Sequence, residues 1–215
     1  MTINHATKTL AASLCILGGI ASIIHGIFEV LQGNTSVKAG KIFAISPVHR
    51  MWEYGGEPAL TIIPNYLLTG ILSIVISASV FIWAIAFIDK RHNLSGLIIL
   101  TILMLLFGGG LASPTFMLLA IITTIFIKRP LQFRVSTFIG KWLKSLTILW
   151  PWTLYLLIVF VIIALIAGVS GYPFLFMFVP EETIKILRTY GQIVTFIYGP
   201  LTILSAIAFD AKSVK

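Results

Sequence analysis

Seven acidic residues occur in 215, and Glu29 alone lies within or close to an apolar run without other charges beside it. An ionised carboxylate in hydrocarbon is costly, so such a group faces a partner or a watery cavity and is a functional candidate by default. His25 precedes it by four residues, which on a helix sets the two side chains on one face, a turn apart. The pair has the chemistry to share a proton. Burial and a charged imidazole pull the carboxyl in opposite senses, so its ionisation depends on how deeply it is covered. Glu29 also lies near the end of its run, from where it could reach the interface.

A second His-x-x-x-Glu spacing follows at His49 and Glu53. Ser46-Pro47 reads as N-cap and first helical position, and Gly55-Gly56 as a stop, so a short helix is expected over 47–54. The end of the first apolar run, this connection and the start of the second run share one membrane face in every topology. His25, Glu29, His49, Arg50, Glu53, Glu57 and Asn65 are therefore candidates for a common ligand- or proton-binding site. Two histidines and several carboxylates are a conceivable Zn or Fe set. The spacing lacks the His-Glu-x-x-His arrangement of zinc peptidases and is more simply explained by hydrogen-bonded helix pairs, so no metal and no cofactor are assigned. Arg50 either pairs with Glu53 or Glu57 at the interface or holds an anionic headgroup through its bidentate fork.

The run from Glu57 to Asn65 enters the second apolar region through Pro58 and Pro64. Pro64 is expected to loosen a helix there and free a carbonyl for Thr61 or Asn65 to satisfy, either as a structural device or as a broken helix lining a transport site. Tyr190, Gln192, Thr195, Tyr198 and Pro200 give the last apolar region a polar seam suited to helix packing. Glu181 and Glu182 suit the start of a helix after Pro180, and Asp210 marks the exit of the last run. Phosphate-binding glycine loops, nucleophile elbows, Cys-x-x-Cys pairs and paired intrahelical aspartates are absent, which argues against membrane proteases and nucleotide-driven pumps of familiar design.

The elements that would position these groups follow from composition. Only 10% of residues are charged, against roughly 25% in soluble domains, and a chain this short cannot hide the excess apolar surface in a core. The expected fold is an all-α, polytopic transmembrane bundle in a single domain, 1–215, with apolar regions at about 9–31, 60–88, 93–128, 147–168 and 189–209. The third region is too long. At ~1.5 Å per residue a straight helix over it would reach about 50 Å, against a hydrocarbon core of about 30 Å. The break falls at Gly108-Gly109-Gly110-Leu111-Ala112-Ser113-Pro114, giving two short spans, a re-entrant hairpin or one kinked helix.

The bundle thus has five or six spans. With five, Lys8, Lys90, Arg91, Lys185 and Arg188 share one side; with six, Lys38, Lys41, Arg50, Lys185 and Arg188 do. Either way ten of the 15 basic residues lie opposite, so the positive-inside rule does not choose. Six is preferred because the turn 89–93 and the basic segment 128–146 then share the cytoplasmic face with both termini. The net charge of +8 follows from this arrangement rather than from nucleic-acid binding, since Lys and Arg fall between the apolar runs.

Within 128–146, Val135, Phe138, Ile139, Trp142 and Leu146 recur at helical spacing while Arg134, Lys141 and Lys144 lie off that stripe. Either an interfacial helix on anionic lipid or an ordinary basic loop fits. Trp150-Pro151-Trp152 and the stretch Tyr172 to Phe178 read as interfacial anchors, and Gly18, Gly19 and the triplet 108–110 as points of close helix approach. Cys15 is the single cysteine, which rules out an intramolecular disulfide. The first apolar run lacks a small-x-small cleavage pattern and is expected to remain as a span.

His25-Gly26-x-x-Glu29, the run Glu57-Pro58-Ala59-Leu60-Thr61-Ile62-Ile63-Pro64-Asn65 and Gly108-Gly109-Gly110 together resemble small uncharacterised bacterial multi-pass membrane proteins. The resemblance covers about the first 130 residues and implies a prokaryotic plasma-membrane location, without an activity. The residues themselves support small-molecule, lipid or proton-linked binding or transport. A non-catalytic accessory or assembly protein and a membrane-embedded enzyme on a lipidic substrate, with His49, Glu53 or Glu57 as acid or base, are the competing expectations.

Overall fold

A computed structural model describes residues 3–46, 56, 58–132, 138–170 and 180–213, with 138–141, 170, 181, 184–185, 187–196 and 212–213 given by backbone alone. The chain is mostly helical. Helix α1 spans His5–Val30, and a two-stranded antiparallel hairpin follows, β1 (Gly40–Phe43) pairing with β2 (Pro58–Thr61). Then come α2 (Tyr66–Ile82), extended by a π-helical turn at Trp83–Phe87, α3 (Asn93–Leu106), α4 (Ala112–Thr124), α5 (Phe138–Ser170) and α6 (Glu181–Ser213).

Among the described residues, three helical stretches are long and apolar enough to cross a membrane: His5–Val30, Tyr66–Phe87 and Trp142–Val169. The outward faces agree with this. Ile82, Ile85, Ile99, Ile148, Trp152, Leu156 and Ile166 are all exposed, a belt that only an apolar surrounding would stabilise. Leu10, Leu14 and Leu17 of α1 turn inward to meet Val80 of α2, Met104 of α3, Met117 of α4, Leu157 of α5 and Ile207 of α6 in one core.

The break expected in the third region is present, and it produces two helices, so the single kinked helix is not formed. At ~1.5 Å per residue the 14 residues of α3 and 13 of α4 reach about 20 Å each, short of a full bilayer crossing. The hairpin lies over their turn: Ile62 N–H donates to the Leu106 carbonyl at 3.0 Å and Gly108 N–H to the Leu60 carbonyl at 2.8 Å. Backbone groups in an apolar surrounding must be paired internally, and the strand supplies these partners.

Two expectations need correction. The second apolar region is not helical from residue 60; residues 58–61 are strand, and α2 begins at Tyr66 because Asn65 caps it, accepting from Leu68 N–H at 3.1 Å. Pro64 therefore precedes the helix instead of breaking it, and its carbonyl accepts from Val37 N–H. The described part of the basic segment from 138 onward is the first part of α5, continuous through Pro151, rather than a separate interfacial helix. The short helix expected over 47–54 and the aromatic stretch 172–178 lie outside the described residues.

Both chain ends meet at the other end of the molecule. Asn4 donates through Nδ2 to the Phe126 and Arg129 carbonyls, at 2.6 and 2.9 Å. Asp210, near the end of α6, accepts from the N–H groups of Ala6 and Thr7 and from the Thr7 hydroxyl. Lys8 Nζ lies 2.8 Å from Asp89 Oδ2 in the turn before α3, and its ammonium holds the Asp89 carboxyl below the usual carboxylate range. The pair is partly solvated and contributes modestly, ~0.2–1 kcal/mol. A depressed carboxyl adds stability above its unfolded-state value, and this is lost as pH falls through the lower folded one. Asp89→Asn should therefore melt slightly below the parent protein at neutral pH and together with it in acid; unequal melting that persists in acid would remove the ion pair as the cause.

Candidate functional site

Glu29 and His25 lie on the last two turns of α1 and are buried, at 0% and 8% exposure. The two share the face that their spacing predicts, and the structure turns that face inward. Ser22 continues the same face one turn earlier and meets α2, and both Ser22 and Glu29 lie against the α3–α4 turn. Helix α2 can approach this face because Gly26 and Gly70 oppose each other. A Cβ on Gly26 would lie 2.8 Å from the Gly70 carbonyl oxygen, and one on Gly70 2.6 Å from that of Gly26.

Hydroxyls line the contact on both sides of this glycine crossing. Ser22 and Ser73 meet Oγ to Oγ at 3.0 Å, and Ser73 also donates to the Ser22 carbonyl. Thr61 of β2 and Thr69 of α2 join at 2.9 Å, and both hydroxyls also lie at 3.3 Å from the Ile63 carbonyl oxygen. All four are essentially excluded from solvent, as is Ser113 at the start of α4, whose Oγ finds no partner among the described residues.

The α3–α4 turn closes the site. Gly108 adopts φ +82°, and a Cβ at that position would overlap both Glu29 carboxylate oxygens and Thr69 Cγ2. The backbone of the turn thus rests directly on the carboxylate. Neither Oε1 nor Oε2 of Glu29 has a hydrogen-bond partner among the described residues. A buried carboxylate without donors cannot remain an isolated anion; it needs a proton or a cation.

Asn65 is a helix cap whose Nδ2 donates to Asn34 Oδ1 at 2.7 Å, a local structural task. His49, Arg50, Glu53 and Glu57 lie outside the described residues, as do the side chains of Tyr190, Gln192 and Thr195. Among the described residues no three His, Cys, Asp or Glu side chains gather to hold a metal. Ser22, Thr61, Thr69, Ser73 and Gly108 were not read as site residues. Hydroxyls in an apolar helix usually bond their own preceding turn, so in sequence they carry no signal of a shared interface. At the opposite end, Trp150, Tyr155, Leu154 and Phe209 line an open apolar groove of about 440 Å³ that involves none of the site residues.

No protein family, curated protein or solved structure matches this chain significantly. The fold and the site therefore define its class by themselves: a helical protein with apolar helices fit for a membrane and an acidic group enclosed between them.

Proposed function

We propose that the protein is a six-pass membrane protein that binds a small solute or lipid in step with proton exchange at Glu29. The observation that carries this reading is a fully buried carboxylate with no donor to either oxygen among the described residues, pressed against a left-handed glycine turn. A structural carboxyl in such a place would be expected to find hydrogen-bond donors, as Asp210 does at the other end. Six passes fit the meeting of both chain ends with the turn before α3 and the end of α4. In this reading α3 and α4 form a short helical pair topped by the β1–β2 hairpin, the bilayer is that of a prokaryotic cell, and the basic segment 128–146 meets anionic lipid at the face holding both termini.

The test uses dicyclohexylcarbodiimide, an apolar reagent that adds to the protonated form of a membrane carboxyl. In detergent-solubilised or vesicle-reconstituted protein, Glu29 should acquire the adduct, read by mass spectrometry of its peptide. Labelling should slow as pH rises, because the reactive acid is depleted. Glu29→Gln should insert normally and lose the adduct. A wild-type protein that takes up no label at Glu29 from acidic to alkaline pH would have a sealed carboxyl without proton exchange, and the accessory or assembly reading would replace this one.

A further inference from the structure

Resting on the proton-exchange reading, we infer that Glu29 and the α3–α4 turn form a binding site for a dehydrated monovalent alkali cation that competes with the proton. Two helix C-termini converge there. Glu29 belongs to the last turn of α1, and Gly108, which packs on its carboxylate, lies two residues beyond the end of α3. Each C-terminus carries a partial negative charge of about half an electron, which ordinarily draws a Lys, Arg or His into the last turn. Neither helix has a basic residue in that turn. A carboxylate and two negative helix ends thus meet without a donor to either carboxylate oxygen among the described residues, so the field there favours a positive ligand.

The chemistry of the surroundings sets the class of that ligand. The donors within the surrounding elements are oxygens: the two of Glu29, the paired hydroxyls of Thr61 and Thr69, and the carbonyls of an unwound turn between two half-length helices. The Cγ2 methyl of Thr69 meets Gly108 beside the carboxylate, and Tyr66 at the start of α2 is a titratable group within electrostatic reach of Glu29. Oxygen donors suit alkali and alkaline-earth ions, and unwound carbonyls beside helix C-termini are the means by which membrane helices strip water from such ions. The described residues place a single carboxylate here, which balances one positive charge; divalent sites gather several acidic ligands. Thr61 and Thr69 can turn their lone pairs inward because each hydroxyl proton has an alternative acceptor in the other threonine or in the Ile63 carbonyl.

The experiment measures the rate of dicyclohexylcarbodiimide labelling of Glu29 at one fixed pH, in sodium, lithium, potassium or choline chloride at equal ionic strength. A bound cation displaces the proton on which the reaction depends. Sodium or lithium should slow labelling several-fold relative to choline, and raising the proton concentration should reverse the protection. Thr69→Val, which keeps the shape and removes one oxygen, should raise the sodium concentration needed for half-protection several-fold above that of the parent protein, each measured relative to its own rate in choline. Equal rates in all four salts, with labelling still falling as pH rises, would overturn the cation site and leave the proton-exchange reading intact. Absence of labelling in every salt and at every pH would remove that reading and this inference together.

Discussion

Gly108→Val should destabilise the protein by about 4 kcal/mol, enough to remove much of a typical fold's margin of ~5–15 kcal/mol. Two costs combine. A residue with a Cβ pays ~1–2 kcal/mol to hold the left-handed conformation that Gly108 adopts at φ +82°. The new side chain also meets the Glu29 carboxylate and Thr69 Cγ2, and overpacking of a filled interior costs about 1–3 kcal/mol. Gly33→Val separates the two, because Gly33 also has a positive φ, +71°, but among the described residues nothing lies within 4 Å of its Cβ position. Thermal unfolding of the detergent-purified variants, followed by tryptophan fluorescence, should show a clearly larger loss at residue 108 than at 33. Equal losses would mean that the turn does not press on Glu29.

Asp210→Ala should cost about 3 kcal/mol, since it strips the acceptor from the first turn of α1. Asp210 is 2% exposed and receives the N–H groups of Ala6 and Thr7 and the Thr7 hydroxyl, at 3.0, 2.8 and 2.6 Å. Without it, three buried donors lose their partner, and α6 loses its tie to α1 across 204 residues of chain. Asp210→Asn keeps one carbonyl oxygen and should fall between the two. The same melting assay reports this order, and an Asp210→Ala protein as stable as the parent would show that water replaces the carboxylate there.

How much of this was legible in the chain depends on the length scale of each signal. The break at Gly108–Pro114 was readable because excess length, three glycines and a proline all point to it. His25 and Glu29 were readable as a pair on one helix face from their spacing; whether that face turned inward or reached the interface depended on the neighbouring helices, which no local pattern encodes. The hairpin was not readable. Gly40–Phe43 and Pro58–Thr61 are four residues each, and the second merges in hydropathy with the helix that follows. Pro58 opening the strand and the β-branched run Thr61-Ile62-Ile63 were the available signs, outweighed by the expectation of a long span. Asp210 read only as the polar end of a helix, because a cap donated from 204 residues away has no local spacing to betray it. The hydroxyl lining around Glu29 was invisible for the same reason: its pairs join α1 to α2 and β2 to α2, and no periodicity links them.

The shortness of α3 and α4 bears on electrical behaviour. On the six-pass reading, a strand hairpin stands in for part of two helices, so the insulating layer there would be thinner and the transmembrane voltage would drop mostly across what remains. On the proposed cation-site reading, an ion reaching Glu29 from the hairpin end would cross little of that drop, against about 2.3 kcal/mol per 100 mV for a full traverse. Capture would then be nearly indifferent to membrane potential.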